Sequence, residues 1–134
     1  MKNNLVAFIR ETSFLDVSFE HGTHNGYVAV PPENKYHGRR CEDMDEFDVH
    51  GGITFSDPVV FPDKFHGKKV RKKYVGKRNP ILENAEFITE NTEIGDDWWI
   101  FGFDTVHFGD NEYNWDRKAV IDETLSLMKQ LNRE

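Results

Sequence analysis

The sequence predicts an α+β fold, a mainly antiparallel β-sheet with one long C-terminal helix packed on it. Short runs rich in β-branched and aromatic residues, bounded by Gly, Asn or Pro, recur along the front of the chain. The near-continuous apolar run DWWIFGFD, residues 97–104, is typical of a central strand buried on both faces. After it, the apolar spacing changes from two to three and four, which is the period of a helix.

Three early segments are predicted strands, because β-branched and aromatic residues dominate them or alternate with polar ones: residues 4–10, 14–22 and 26–30. FDVHGGITFS, residues 47–56, is also predicted as a strand, which Gly51 and Gly52 interrupt with a bulge. Residues 81–88 fit a short strand or a helical turn, and the sequence does not choose between them.

The C-terminal helix is predicted over residues 115–132. Asn114 is the expected N-cap, with Asp116 in the first turn. Lys129 and Arg133 near the far end complement the helix dipole. The apolar stripe that faces the sheet comprises Val120, Ile121, Thr124, Leu125, Leu127, Met128 and Leu131.

Composition limits the class of protein. The 134 residues predict a single globular domain, residues 1–134, and 11 Phe, 4 Tyr and 3 Trp supply its core. The formal charge of -7 argues against a protein that embraces nucleic acid with its whole surface, although local basic patches could still contact it. Cys41 is the single cysteine, which excludes an internal disulfide and fits a reducing cytoplasm. No segment approaches the ~20 apolar residues of a membrane span, so no membrane partner is expected.

A basic segment, residues 64–78, holds 8 of the 17 Lys and Arg residues and lies between two prolines. It predicts an exposed, protruding hairpin or arm. Its basic residues suit contacts with phosphates, and the apolar side chains interleaved with them suit stacking on bases. The alternative is a solvated hairpin whose positive charge offsets the acidic body. The acidic run at residues 42–46 would pair with this arm or form a negative surface of its own.

Candidate chemistry begins in FGFDTVHFGDN, residues 101–111, which places Asp104, His107 and Asp110 at three-residue intervals. Imidazole nitrogen and carboxylate oxygen are ordinary ligands for zinc, manganese or iron. A carboxylate beside an imidazole also fixes the tautomer for proton transfer. The alternative is a solvated turn, since Asp and Asn bond their own backbone, and Asp110 with Asn111 would then cap the approach to the helix.

A second candidate segment is DVHGG, residues 48–52. In a strand, Asp48 and His50 would point to the same face. Gly51 and Gly52 immediately after would let a ligand or a neighbouring backbone approach closely. The alternative is a glycine bulge beside a His50 that is hydrogen-bonded in the core or at an interface.

Together, DVHGGIT and GFDTVHFGD, with GYVAVP nearer the front, resemble a family of small, uncharacterised proteins encoded in bacteriophage and prophage genomes. The resemblance covers roughly residues 26–111, with gaps. Its His-Gly-Gly-Ile/Leu-Thr and Gly-Phe-Asp-x-x-His-x-Gly-Asp segments carry over onto His50, Gly51, Gly52, Gly102, Phe103, Asp104, His107, Gly109 and Asp110. The resemblance implies no particular activity.

This chain departs from that family in two places. Family members often have a His-Pro pair in the loop after the valine-proline segment, where this chain reads Glu33-Asn34-Lys35, and His37 is the nearest substitute. The basic arm, residues 64–78, has no counterpart in the family.

If the two histidine segments converge, two imidazoles and up to three carboxylates share one site. Each unsatisfied buried group would lose about 1–3 kcal/mol, so convergence demands a cation, a ligand or a full hydrogen-bond network. The catalytic candidates are His50, His107 and Asp104. The ligand-binding candidates are Asp48, Gly51, Gly52 and Asp110. The candidate ligands of a divalent metal, zinc or manganese, are His50, Asp104, His107 and Asp110.

Two functional hypotheses follow, and the sequence leaves open whether the protein is an enzyme. The first is a phage-type accessory protein whose His/Asp cleft binds a small phosphorylated molecule or nucleotide, with metal-dependent hydrolysis as the candidate reaction. The second is a non-catalytic interaction or inhibitor protein that binds a host protein or a nucleic-acid complex through its charged segments. In both, the expected location is the cytoplasm of the host cell.

Overall fold

The computed structural model describes residues 4–12 and 20–133, and within them it confirms the α+β class. The strands are β1 Val6–Glu11, β2 His24–Val30, β3 Phe55–Pro58, β4 Lys64–Phe65, β5 Lys68–Lys69, β6 Glu86–Phe87 and β7 Trp99–Phe103, and the helix is α1 Arg117–Leu131. The main sheet is antiparallel with the order β3-β7-β2-β1-β6, while β4 and β5 pair separately. No helix in these residues is long and apolar enough to cross a membrane.

Residues 97–104 contain the predicted central strand. All of β7 is buried, and it lies between β3 and β2. Because side chains alternate along a strand, Phe101 faces the layer that α1 covers, whereas Ile100 faces the opposite layer. The predicted strands at residues 4–10 and 26–30 are confirmed as β1 and β2.

The helix begins two residues later than predicted. Its N-cap is Asp116, whose carboxylate accepts a hydrogen bond from the Ala119 N–H at 2.9 Å. The prediction of Asn114 as N-cap was wrong, because the Asn114 side-chain oxygen accepts the Asn111 N–H within the preceding loop. The predicted stripe is confirmed at its buried centre, which comprises Val120, Thr124, Leu127 and Leu131.

Residues 47–54 of the predicted strand at 47–56 are not extended strand and contain a turn at residues 50–51, so that prediction was wrong over residues 47–54. The Gly52 N–H donates to the Val49 carbonyl at 2.9 Å, and Gly51 and Gly52 have φ of +71° and +81°. Left-handed glycines close a turn instead of bulging an extended chain. Asp48 and His50 therefore do not share a strand face, and only the end of the segment is extended, as β3.

Three other segments complete the comparison with the sequence predictions. The predicted strand at residues 14–22 falls mainly on residues 13–19, which lie outside the described residues, and residues 20–22 are not extended strand. Residues 81–88 contain both candidate structures, the end of a 3₁₀ turn at Pro80–Leu82 and strand β6. In the basic segment, residues 64–78, β4 and β5 pair as a hairpin, and most residues of the segment are exposed.

Candidate functional site

The two histidine segments meet in space. The ring centroids of His50 and His107 are 5.3 Å apart, with their planes at 86°. His50 also lies against Trp115, just before α1, with ring centroids 4.2 Å apart. The site, which we call the His50–His107 cluster, therefore lies where the turn at residues 48–52 and the loop at residues 104–111 approach the start of the helix.

His50 is held from several directions. Its Nε2 lies 2.9 Å from both carboxylate oxygens of Asp110, and its backbone N–H donates to Glu123 Oε2 at 2.7 Å. Because a carboxylate accepts at Nε2, Nε2 carries a proton in this contact, and Nδ1 is the nitrogen left for another partner. Among residues 4–12 and 20–133, no group bonds to that Nδ1, and the side chain is 24% exposed. The ring is thus fixed with its basic nitrogen free.

Asp110 joins the two histidine segments. Its side chain is only 4% exposed, and besides His50 it accepts the backbone N–H of His107 at 2.9 Å. The Asp110 N–H donates in return to the His107 carbonyl at 2.9 Å, which closes a turn through Gly109 at φ +94°. The two interpretations of this segment are therefore compatible, because the turn-forming carboxylate is also the partner of the distant imidazole.

His107 leaves one nitrogen unsatisfied. Its Nε2 is 3.0 Å from Asp104 Oδ1, but the contact lacks hydrogen-bond geometry, and this nitrogen is shielded from solvent without a hydrogen-bond partner among the described residues. The backbone of Gly51 covers it so closely that a Cβ at Gly51 would clash with Nε2. We take the contact with Asp104 as electrostatic proximity, because distance alone does not make a hydrogen bond.

The structure brings together His50, Gly51, Asp104, His107 and Asp110. Gly52 lies next to Gly51, with open space around its Cα.

Asp48 differs from those five residues. Its side chain is exposed, and its backbone N–H and carbonyl pair with the Gln130 side chain at 2.8 and 2.9 Å. In the described part of the chain, no three His, Cys, Asp or Glu side chains have the geometry of a metal site. The metal-ligand set stays a prediction.

The site is acidic. Three carboxylates contact its backbone or rings, those of Asp104, Asp110 and Glu123. Throughout the part of the chain that the structure describes, no Lys or Arg forms an ion pair with them. A negative potential therefore surrounds the two imidazoles.

Two exposed aromatic rings in the same loop were missed at the level of sequence. Phe108 is fully exposed at 108% relative accessibility, and Tyr113 is 83% exposed. The detectable signal was HFGDNEY, in which aromatic residues stand inside a turn of Gly, Asp and Asn. Glu123 was also missed, and it carries no local signal because only the tertiary fold brings it to His50.

Comparison of the chain with protein-family models, curated proteins and solved structures finds no match. The resemblance to phage-encoded proteins therefore stays a prediction. The function has to be argued from the geometry of the site.

Proposed function

We propose that this protein binds a small phosphorylated molecule, such as a nucleotide, at the His50–His107 cluster together with a divalent cation, and that His50 acts there as a general base. The observation that carries the proposal is the edge-to-face contact of two imidazoles, each with a carboxylate near its Nε2. The phage-type origin and the cytoplasmic location predicted from the sequence belong to the same proposal.

The charge of the site argues for a cation. Asp104, Asp110 and Glu123 would repel a bare phosphate, because like charges at short range are unfavourable in a partly buried site. A bound divalent ion makes the local charge positive enough to attract a phosphate. Carboxylate with imidazole is a donor set suited to manganese or zinc. His107 adds a nitrogen beside Asp104 that has no hydrogen-bond partner among the described residues, and a bound cation would supply one.

The roles of the side chains follow from their contacts. Asp110 orients the His50 ring through Nε2, so His50 Nδ1 is the candidate base for a water attacking phosphorus. A divalent ion would polarise the phosphoryl oxygen in that reaction. Phe108 offers a free ring face on which a base can stack, an interaction suited to a nucleotide.

Calorimetric titration with AMP in the presence of Mn²⁺ tests the proposal. We expect wild-type protein to bind, and His50→Gln and His107→Gln each to weaken binding by about tenfold or more, about 1.4 kcal/mol. His37→Gln is the control, because His37 bonds to the Asp97 carbonyl near the other end of β7. Absence of binding, or equal binding by all variants, would contradict the proposal.

A second candidate function is non-catalytic binding of a host protein or nucleic-acid complex through the basic hairpin. The acidic run pairs with Arg39 and Arg40, at 3.2 and 3.6 Å, and not with the hairpin. Within the described residues, the hairpin's ion pair is Arg78 with Asp96 at 2.8 Å, which leaves its lysines facing solvent. Such a surface fits a polyanionic partner.

Fluorescence anisotropy with labelled oligothymidylate tests the nucleic-acid form of this second function. We expect a double variant, Lys72→Glu with Lys73→Glu, to lose binding, and His50→Gln to retain it, because His50 is not part of the hairpin. Salt-insensitive binding, or binding that survives charge reversal, would exclude the hairpin as the contact.

A further inference from the structure

A cavity lies away from the His50–His107 cluster. It is bounded by the 3₁₀ turn Cys41–Asp43, the edge strand β3 and the β4–β5 hairpin, and its volume is about 550 Å³. This is the size range of small-ligand sites. Its lining combines the charged or polar Arg40, Asp57, His66 and Lys68 with the rings of Phe55 and Phe65.

His66 is the first indication of a ligand. It stands with Gly67 in the two-residue turn between β4 and β5, where φ is +52° and +76°. Such a turn favours Asn or Gly, so its geometry does not require an imidazole. The ring contacts Phe65 and Trp99, while its Nε2 is buried with no hydrogen-bond partner among the described residues. A buried, unpartnered nitrogen is unfavourable and indicates a missing partner.

Lys68 is the cation that the cavity offers to an oxyanion, and it is exposed at the rim. The Arg40 guanidinium approaches the hairpin turn at Gly67. It lies 3.6 Å from Glu42, so these two charges offset one another.

Asp57 opposes an oxyanion less than an exposed aspartate would. Burial raises the pKa of its carboxyl, although hydrogen bonding with Asn79 and the charges of His66 and Lys68 act in the opposite direction. Burial therefore makes this carboxyl easier to protonate than an exposed one.

Cys41 lines the same cavity but does not point to covalent chemistry. Burial raises the pKa of its thiol, and the neighbouring Glu42 and Asp57 raise it further. The thiol form is therefore favoured over the nucleophilic thiolate. The cavity is suited to binding.

We propose that this cavity binds a small molecule that joins an oxyanion, a carboxylate or a phosphate, to a flat apolar ring. Lys68 and His66 contact the oxyanion, and Phe55 and Phe65 pack against the ring. The proposal is independent of the His50–His107 cluster, with which the cavity shares no residue.

A charge series on one ring tests it, with benzoate, phenyl phosphate, neutral benzamide and cationic benzylamine titrated into the full chain and followed by NMR. We expect benzoate or phenyl phosphate to shift the His66 and Lys68 signals and to bind about tenfold more tightly than benzamide. Whichever anion binds more tightly identifies the source of the oxyanion.

Variants decide whether the cavity is the site. Lys68→Gln and His66→Asn should each weaken anion binding by about fivefold or more. Asparagine is chosen because it tolerates the left-handed turn. Lys72→Gln, in the same basic segment, and His50→Gln should leave anion binding unchanged. The proposal is overturned if no probe binds, if benzylamine binds as well as the anions, or if Lys68→Gln has no effect.

Discussion

The imidazole of His50 and the carboxylate of Asp110 form a two-oxygen contact, with Nε2 2.9 Å from each oxygen. The same carboxylate accepts the backbone N–H of His107 at 2.9 Å. One nearly buried aspartate therefore fixes the position of both histidine segments. Charge-assisted bonds of this kind are stronger than neutral ones, so Asp110 stabilises the fold as well as the site.

Removing the charge of Asp110 should destabilise the protein. Asp110→Asn keeps the shape but weakens the bonds to His50 and His107, so we expect the free energy of unfolding to fall by about 1–3 kcal/mol. Urea denaturation measures the change. Asp122→Asn is the matched control, because Asp122 pairs with Lys118 in solvent at 2.9 Å and should have little effect. Equal losses of unfolding free energy in the two variants would contradict a stabilising role of Asp110.

The two glycines of the turn should differ when each becomes alanine. Both have positive φ, so each change adds strain of about 1–2 kcal/mol. Gly51→Ala also drives a methyl group into His107 Nε2, whereas Gly52→Ala meets open space. We expect Gly51→Ala to lose more stability and to move the His107 ring signals in NMR spectra, while Gly52→Ala leaves those signals in place. Matching losses with unchanged His107 signals would be inconsistent with the described packing.

His24 should make the protein less stable in acid. Burial lowers the pKa of this imidazole from its usual value of 6.5, with Arg117 acting in the same direction and Glu11 against it. As the pH falls, the unfolded chain takes up the proton first, so the stability is present above about pH 6.5 and is lost below it. His24→Gln should flatten the loss of unfolding free energy measured between about pH 8 and pH 5. Parallel curves for the two proteins would exclude this role.

The Phe108 ring should matter for binding and not for folding. Because it is fully exposed, Phe108→Ala should leave the melting temperature unchanged. If a nucleobase stacks on it, AMP binding should weaken by about 1 kcal/mol or more. Leu125→Ala, on the exposed side of α1, is the control and should leave AMP affinity intact. Unchanged affinity in Phe108→Ala would remove the base-stacking element from the proposed function.

The sequence predicted those parts of the fold whose pattern is created by burial on a regular element. β1, β2, β7 and α1 all show the expected period because each packs against the same two-layer core. Residues 47–53 misled because Phe47 and Val49 are buried, at 6% and 7% exposure, by packing in the core and not by strand pairing. The alternation of buried Phe47 and Val49 with exposed Asp48 resembles the pattern of a half-buried strand.

The site was predictable only in part. Two recognisable segments of the sequence contain the site residues His50, Asp104, His107 and Asp110. Their contact depends on the tertiary fold, so the sequence offered it only as a hypothesis. His66, whose Nε2 has no hydrogen-bond partner among the described residues, lies in a basic segment. A single histidine among lysines and arginines forms no pattern that marks a site. Interactions such as that of Glu123 with the His50 backbone depend on a helix packing against a turn and leave no local pattern.

The most direct measurement of the central claim is paramagnetic broadening of the histidine ring signals by Mn²⁺ in the presence of AMP. If His50 and His107 share one cation and one phosphorylated ligand, their ring signals broaden together at low Mn²⁺, before those of His37 near the other end of β7. Broadening that is absent, or that reaches His37 as readily as the facing pair, would contradict the existence of a common site.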